Sequence, residues 1–329
     1  MRAAIATAYG SPEVIKFVDL PVPAVGAGDI LVRIHAASVS SGDWRLRSGV
    51  VPAGLGVLVR LAMGLRKLRQ PILGNDFSGV VEAVGGDVSR YRVGDAVFGS
   101  GGMRMGCHAE FRTFRETDSI SAKPEHLSHR EAAALPFGGQ TALAFLRDKG
   151  KVKAGERVLV IGASGAVGCQ AVQIARALGA DVSAVTSIGN SDLVRSLGAA
   201  TVIAHDRSDP LVQDRTYDVI VDTVGQHTYP ALRHLLAERG RLLAIAAGLP
   251  DMLRSLVVNS VGRHRLLVGE AGESAALMAD LAAMASSGAI RPVIDSVFPF
   301  PEIVAAHARV ETRRKVGAVV VEMVPDDRG

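Results

Sequence analysis

The sequence predicts an α/β protein that combines a doubly wound parallel sheet with a separate, β-rich domain. In the second half, short aliphatic runs alternate with segments of helical spacing, and a glycine-rich turn joins one run to the next helix. The first 123 residues instead contain short Val-rich runs punctuated by Gly and Pro. A length of 329 residues is enough for two domains of ordinary size.

Composition narrows the class of protein. Hydrophobic residues make up 48% and charged residues 21%, which is typical of a folded globular chain. The net charge of +4 and the lack of a long Lys/Arg run outside the 60s argue against a nucleic-acid surface. Two cysteines, Cys107 and Cys169, exclude a disulfide framework and a four-thiolate metal site, and they fit a reducing compartment. With no signal-like start and no long apolar window, we expect a cytoplasmic protein without stable membrane insertion.

The N-terminal segment, residues 1–124, reads as a β-rich partial barrel. Runs such as ILVRIHAASV, FSGVVEAVG and RVGDAVFG are Val-rich, short and bounded by turn residues. The short Val-rich runs end near residue 124, where the alternation of predicted strands and helices begins.

A strand, a glycine turn, a helix and a second strand follow one another within about 30 residues. The strands are Arg157–Ile161 and Asp181–Thr186, and the intervening helix ends at Gly179. Such a unit binds a dinucleotide diphosphate, because bare backbone N–H groups and the positive helix end meet the phosphate oxygens. An ordinary strand-to-helix turn is the alternative. The predicted binding residues are Gly162, Ser164, Gly165, Ala166, Val167 and Gly168.

The alternation continues towards the C-terminus and completes the predicted sheet. Residues 125–262 are assigned to the dinucleotide-binding domain, and residues 263–329 to the end of its sheet and a return to the first domain. The further predicted strands are Ala200–Ala204, Asp218–Asp222, Arg241–Ile245, Arg265–Val268 and Gly317–Glu322, and the helices are Ser191–Leu197, Tyr229–Leu236, Met252–Asn259 and Pro301–Val310.

These segments in their order resemble a known family. The series ILVRIHAASV, ILGNDFSGVVEAVG, YRVGDAVFG, LPFGGQTAL, KAGERVLVIGASGAVG, YDVIVDTVG and RRKVGAVVV is similar to the medium-chain dehydrogenase/reductase superfamily, and most to its zinc-free quinone oxidoreductase (zeta-crystallin-like) branch. The resemblance covers essentially the whole chain. It implies a GroES-like catalytic domain and a Rossmann dinucleotide-binding domain.

The residues at the family's zinc positions distinguish the branches. Where the alcohol dehydrogenases supply Cys and Gly-His-Glu, this chain has Ser38 to Asp43 and Gly74-Asn75-Asp76. A catalytic zinc needs three suitable protein ligands, so no metal is expected. On this interpretation Asp43 and Asp76 hold turns and His108 lines a pocket wall or packs in the core; an oxygen-rich metal site of Asp43, Asp76 and His108 is the alternative.

The resemblance implies reduction of a quinone or an α,β-unsaturated carbonyl by hydride transfer. Ser40 stands where relatives usually carry Asn beside the nicotinamide. Arg45 stands where they often have Tyr or Lys, and it is either an oxyanion-binding group or half of a surface ion pair. Thr141 matches a residue beside the nicotinamide, or else it packs in a helix.

The second strand of the dinucleotide fold indicates NADPH rather than NADH. NAD enzymes place an acid at its end to bind the ribose hydroxyls, whereas here the chain reads Thr186-Ser-Ile-Gly-Asn190. Ser187 and Asn190 could donate to a 2′-phosphate. By resemblance, His205 falls at the adenosine phosphate, where a water-facing strand end is the alternative, and Lys315 adds positive charge.

Two rival functions stay open: an NAD(P)-dependent alcohol dehydrogenase, and a non-catalytic NADPH-binding sensor or structural protein. The apolar and basic segment 50–73 reads as a packed helix, a lid over a pocket or an interfacial helix. The substrate is expected to be a small molecule. A homodimer is expected, with the strand Arg265–Val268 as an edge available for pairing.

Overall fold

The computed structural model describes residues 1–324. The chain divides into two compact units. Among the described residues, the β-rich unit comprises Met1–Val51, Gly56–Phe137 and 273–324, and the parallel-sheet unit comprises Pro52–Leu55 and Gly138–Gly272. The breaks after Phe137 and Gly272 lie 13 and 10 residues C-terminal to the boundaries after residues 124 and 262 that the sequence suggested, and the assignment of Pro52–Leu55 to the other unit was not predicted.

The β-rich unit is built around one seven-stranded sheet and a two-stranded sheet. Its strands are β1 (Arg2–Ala6), β2 (Ile15–Asp19), β3 (Asp29–Val39), β4 (Asp76–Val84), β5 (Ala96–Ser100), β6 (Phe111–Arg115), β7 (Ile120–Ala122), β14 (Ile294–Pro299) and β15 (Ala318–Glu322). Its helices are α1 (Ser41–Ser48), α2 (Gly56–Met63), α3 (His129–Ala133), α9 (Ala275–Ser286) and α10 (Ile303–Glu311), while α4 (Pro136–Leu143) spans the division between the units.

The long strand β3 organises the larger sheet. It pairs antiparallel with β15, β4 and β6, and bulges at Leu31/Val32 and Ile34/Ala36 let one strand serve several partners. The sheet order is β14-β15-β3-β4-β5-β7, with β6 beside β3. Ile30, Val32 and Ile34 are buried with Phe77 and Phe114 in the unit's core.

The parallel-sheet unit has six strands: β8 (Arg157–Ile161), β9 (Asp181–Thr186), β10 (Thr201–Ala204), β11 (Tyr217–Asp222), β12 (Leu236–Ala244) and β13 (Arg265–Leu267). Its helices are α5 (Ala166–Ala177), α6 (Ser191–Ser196), α7 (Tyr229–Leu232) and α8 (Leu249–Val261), with a π-helical stretch at Ala144–Lys149. The order β10-β9-β8-β11-β12-β13 is all parallel and reverses direction at β8. Ligands bind such sheets beyond the carboxyl ends of the strands at that reversal.

The predicted doubly wound sheet is therefore confirmed, with one local correction. The segment Tyr229–Leu236 does not form one helix. It is helical to Leu232 and then makes a 3-10 turn, and Leu236 pairs with Tyr217 as the first residue of β12. The helix ends early because Leu236 pairs with Tyr217 in the sheet. A helical pattern in the local sequence carries no information about that pairing.

Candidate active site

The turn after β8 requires glycine at two of its three positions. Gly162 has φ +79°, and a Cβ there would lie 2.4 Å from Val224 Cγ2. A Cβ on Gly168 would lie 2.1 Å from the carbonyl oxygen of Gly162. These two glycines let the turn and the start of α5 pack closely.

The middle glycine has a different role. A Cβ on Gly165 would meet only the Gly162 carbonyl oxygen, at 3.5 Å, so the space over this residue is open. Gly165 caps the 12-residue helix α5 without a side-chain hydrogen bond. The first N–H groups of a helix, here those of Ala166, Val167 and Gly168, have no acceptor within the helix. The turn therefore offers bare donors and a positive helix end to an anion.

Polar side chains gather at the carboxyl end of β9. Ser164 Oγ accepts hydrogen bonds from Thr186 Oγ1 at 2.9 Å and from Asn190 Nδ2 at 3.2 Å. Asn190 Nδ2 also donates to Ser187 Oγ at 3.0 Å. Ser164, Ser187 and Asn190, which the sequence analysis named separately, therefore form one polar cluster beside the glycine turn.

Two residues after β10 lie next to this cluster. The His205 N–H donates to the Thr186 carbonyl at 3.0 Å, and the His205 side chain is exposed. Asp206 Oδ1 accepts the N–H of Ile188 at 2.9 Å, so a carboxylate supports the Ser187–Asn190 loop. Sequence reasoning missed Asp206 because it searched for an acid at the end of β9 and not at the end of the neighbouring strand.

The end of β11 supplies a further turn that the sequence analysis did not assign. Buried Asp222 accepts the N–H groups of Val224 and Gly225, each at 2.9 Å. Thr223 Oγ1 donates to the Ile161 carbonyl at 2.8 Å and thus ties this turn to the end of β8. The segment DTVG directly after an aliphatic strand was the available signal.

Thr141 and Lys315 lie in different units. Thr141 is half-buried on α4, in the part assigned to the parallel-sheet unit. Lys315 belongs to the β-rich unit, where its Nζ donates to the Gly317 carbonyl at 2.7 Å. Their predicted roles beside the nicotinamide and the phosphate stay predictions.

Ser40 begins α1 and its hydroxyl group takes part in the helix cap. Asp43 Oδ2 accepts both the N–H of Ser40, at 2.7 Å, and its hydroxyl, at 2.6 Å, and Ser40 Oγ accepts the Asp43 N–H. Asp43 Oδ1 accepts the N–H of Gly74 at 2.8 Å. In this arrangement the Ser40 hydroxyl proton is directed at Asp43, so a hydrogen bond from this hydroxyl to a substrate would require the bond to Asp43 to break.

Asp76 lies behind this cap, buried at the start of β4. Its Oδ2 accepts from Ser38 Oγ at 2.8 Å and from the Phe137 N–H at 3.0 Å, whereas Oδ1 has no hydrogen-bond partner. Burial raises the pKa of this carboxyl group well above its ordinary value, and the nearby Asp43 adds to the increase. The group is therefore biased towards its protonated form.

Two histidines pack beside these aspartates. His108 Nε2 lies 3.0 Å from the Ser38 carbonyl oxygen, and its ring meets that of His307 edge to face at 5.3 Å. Burial lowers the pKa of His108. Burial is the largest cause that holds the pKa of His307 well below its ordinary value, and the nearby His108 and Arg47 lower this pKa further. The expectation of a packed His108 agrees with this arrangement.

Arg45, which lies on α1 with Asp43, has no ion-pair partner in the described part of the chain. Partial burial, together with nearby Arg313, lowers the pKa of its guanidinium. The role of Arg45 as an oxyanion-binding group stays a prediction.

Known proteins resemble the whole chain. The family described as Alcohol dehydrogenase GroES-like domain matches residues 26–135, and that described as Zinc-binding dehydrogenase matches residues 197–321. The protein named NAD(P)H oxidoreductase RTN4IP1, mitochondrial, of Bos taurus is 31% identical over 98% of this chain and 89% of its own length. The quinone oxidoreductase of Pongo abelii is 30% identical over 94% of each chain.

The chain belongs to the medium-chain dehydrogenase/reductase superfamily, in its quinone oxidoreductase branch. A solved structure of the quinone oxidoreductase from Coxiella burnetii superposes on it with a TM-score of 0.86, at 29% identity over 98% of this chain and 99% of that one. The β-rich unit thus contains the superfamily's GroES-like domain, and the parallel sheet is its Rossmann-like sheet. The protein is an oxidoreductase that uses a nicotinamide cofactor.

Some members of the superfamily bind zinc, but the residues of this chain do not fit a zinc site. Both Asp43 oxygens and Asp76 Oδ2 already accept protein hydrogen bonds, and His108 Nε2 faces a carbonyl oxygen. Among residues 1–324, no three His, Cys, Asp or Glu side chains are grouped to hold a metal ion. The two aspartates serve as acceptors that fix turns.

Proposed function

We propose that this oxidoreductase reduces quinones or α,β-unsaturated carbonyl compounds with NADPH and without zinc. The observation that carries the proposal is the open glycine turn beside the hydroxyl and amide cluster of Ser164, Thr186, Ser187 and Asn190. A diphosphate fits the turn, and the cluster offers donors to a further phosphate.

The names of relatives support the substrate class. Besides the quinone oxidoreductases, a protein named 2-methylene-furan-3-one reductase of Solanum lycopersicum is 30% identical over 99% of this chain and 80% of its own length. Without a metal to polarise a carbonyl, hydrogen-bond donors and cations of the chain itself would stabilise the oxyanion. Arg45 is proposed for that role because no acid neutralises it in the described residues.

Each remaining site residue has a proposed part in binding. NADPH supplies a hydride when it is bound, and a proton from water completes the reduction. The backbone of Gly165 to Gly168 holds the diphosphate, Ser187 and Asn190 donate to the 2′-phosphate, and Thr141 positions the nicotinamide. His205 and Lys315 add donors near the adenosine phosphate, and Ser40 orients the substrate carbonyl.

Oligomeric state and location complete the proposal. The strand β13 lies at the edge of the parallel sheet, where the Asn259 side chain binds both the N–H and the carbonyl of Leu266. A homodimer in which a second copy pairs with this edge in place of Asn259 is proposed. Both cysteines are free and buried, which fits a reducing compartment such as the cytoplasm. No helix within residues 1–324 has the length and apolarity to cross a membrane.

Consumption of NADPH by the purified protein tests the proposal. Chelator-treated protein should oxidise NADPH in the presence of a quinone or an enone, and should show no alcohol oxidation when zinc is added. Arg45→Gln should lower kcat at least tenfold, because it removes the oxyanion's partner. Turnover of alcohols that depends on zinc, or NADPH binding without turnover of any quinone or enone, would overturn it.

A further inference from the structure

We propose that residues 56–69, here called the basic apolar segment, dock the protein reversibly onto an anionic lipid bilayer. The segment begins with α2 and runs through the turn that follows it. It was interpreted from sequence as a packed helix, a lid or an interfacial helix. No side chain of α2 is fully buried: Met63 at its end packs half-buried against the cluster of Leu68 and Leu73, while Val57, Leu58 and Leu61 stay exposed.

The segment exposes large apolar side chains on one side. Val57 is 74% exposed, Leu58 58% and Leu61 52%, and Leu65 just beyond the helix is 63% exposed. At 100° per residue, Val57, Leu58 and Leu61 fall within an arc of about 100° on α2. Monomeric proteins rarely expose contiguous apolar surface of this kind without a partner for it.

The charges of the surrounding sequence are of one sign. Between Asp43 and Asp76 the chain carries six cations and no acid. Arg66 and Lys67 are exposed and have no acidic partner in the described residues, while Arg60 stacks over the Tyr9 ring at 5.1 Å. Exposed apolar residues flanked by unpaired cations complement a lipid bilayer that has an apolar interior and anionic headgroups.

The base of the segment is held in place. Leu68 is buried with Leu73, Ala6 and Met105, and Tyr9 Oη donates to the Gly64 carbonyl at 2.6 Å. A groove of about 840 Å³ is lined by the segment and by the end of β1. The segment is therefore fixed at its turn, while its outer apolar side chains are presented to a partner.

A bilayer surface fits these features better than an intramolecular lid. Within residues 1–324 the outer side chains Val57, Leu58 and Leu61 of α2 stay exposed, and all four charged residues of the segment are cations. Eight helical residues are about 12 Å long, which is too short to span a membrane but suits a helix that lies in the interface. Docking would combine shallow burial of Leu58 and Leu61 with attraction of Arg66 and Lys67 to anionic headgroups.

Co-sedimentation of the full chain with large vesicles tests this proposal. Vesicles of phosphatidylcholine with roughly one-third phosphatidylserine should bind at least tenfold more protein than pure phosphatidylcholine. About 0.5 M salt should release most of it, because screening shortens the reach of the headgroup charge. Absence of binding at every composition, or binding unaffected by salt and by phosphatidylserine, would overturn the proposal.

Matched variants separate the segment from the rest of the surface. Arg66→Gln with Lys67→Gln, and Leu58→Ser with Leu61→Ser, should each reduce binding to the anionic vesicles at least fivefold. The control, Lys16→Gln with Arg92→Gln, removes two exposed cations of the same unit and should bind like the parent. Equal binding of all three variants would refute the assignment.

Self-association is the competing use of this surface. Sedimentation velocity without lipid would detect a dimer, and dimerisation abolished by Leu58→Ser with Leu61→Ser, together with no vesicle binding by the parent, would assign the surface to a second copy and overturn the proposal. Because all six substituted side chains are exposed, circular dichroism should show unchanged folding in every variant.

Discussion

Asp76 shows how one buried carboxyl group can make stability depend on pH. Its Oδ2 accepts two hydrogen bonds and its Oδ1 none, in a setting that raises its pKa. The unfolded chain releases this proton near pH 4, whereas the folded chain holds it. Folding therefore binds a proton above that pH, and the stability from this residue decreases as pH rises towards the folded-state pKa.

Asp76→Asn should make the protein more stable at pH 8 and reduce this pH dependence. The amide keeps an oxygen for Ser38 and Phe137 and carries no charge to bury. We expect the free energy of unfolding at pH 8 to rise by at least about 1 kcal/mol, with a smaller change at pH 5. Urea denaturation at both pH values measures it. Exposed Asp192→Asn is the control, and a greater loss of stability at pH 8 than at pH 5 would contradict the assignment.

Asp206 places a negative charge beside the loop proposed to bind the 2′-phosphate. Asp206→Asn keeps an acceptor for the Ile188 N–H and removes the charge. The KM for NADPH should therefore fall by about threefold, with that for NADH nearly unchanged, as expected for charges separated by several ångströms of water-like medium. Steady-state kinetics with both cofactors would show this, and an equal change in both would contradict the placement of the phosphate.

At the scale of elements, the glycine turn allows two neighbouring changes to be compared. Gly168→Ala would place a Cβ 2.1 Å from a backbone oxygen, so it should destabilise the fold by about 2 kcal/mol or more as well as impair cofactor binding. Gly165→Ala meets no such obstacle and lies at φ −74°. It should leave stability within about 0.5 kcal/mol of the parent.

Both alanine variants should weaken NADPH binding about tenfold or more, because an added methyl group keeps the diphosphate from the backbone donors. Calorimetric titration measures the affinity, and thermal melting separates binding from folding. Gly86→Ala, which also meets open space and lies in the β-rich unit, serves as the control. Unchanged affinity in Gly165→Ala would remove the turn from the proposed site.

Sequence patterns were sufficient where one segment determines its own conformation. The strands Arg157–Ile161 and Asp181–Thr186 have the predicted ends, and Ser191 begins α6 as predicted. The patterns failed where a residue distant in sequence determines the conformation or the contact. Leu236 belongs to a strand because it pairs with Tyr217, and Asp206, which follows β10, binds the loop after β9. The hydroxyl of Ser40 could be named from sequence, but its bond to Asp43 could not.

At the scale of the whole molecule, the two units have separate cores. Phe77, Phe114 and their neighbours fill the β-rich unit, and Tyr217, Ile220 and Leu242 contribute to the core of the parallel-sheet unit. The single tryptophan, Trp44, lies in the β-rich unit, so its fluorescence reports the unfolding of that unit. Circular dichroism reports the unfolding of both units.

NADPH should therefore shift the two signals by different amounts. At about one hundred times its Kd, it should stabilise the unit that binds it by about 2.7 kcal/mol. Thermal melting followed by circular dichroism should move upward more than melting followed by tryptophan fluorescence, and at the same NADPH concentration Gly165→Ala should reduce the difference to about half or less. Equal shifts of both signals would show instead that the units unfold as one cooperative block.

The residues Pro52–Leu55 belong to the parallel-sheet unit although the sequence on both sides belongs to the other. The Leu249 N–H at the start of α8 donates to the Ala53 carbonyl at 2.9 Å. A recombinant fragment of residues 138–272 would omit this tetrapeptide and leave the first turn of α8 without that acceptor. A fragment of the parallel-sheet unit that keeps this hydrogen bond must therefore include residues 52–55, either as a separate peptide or joined to the fragment by a linker.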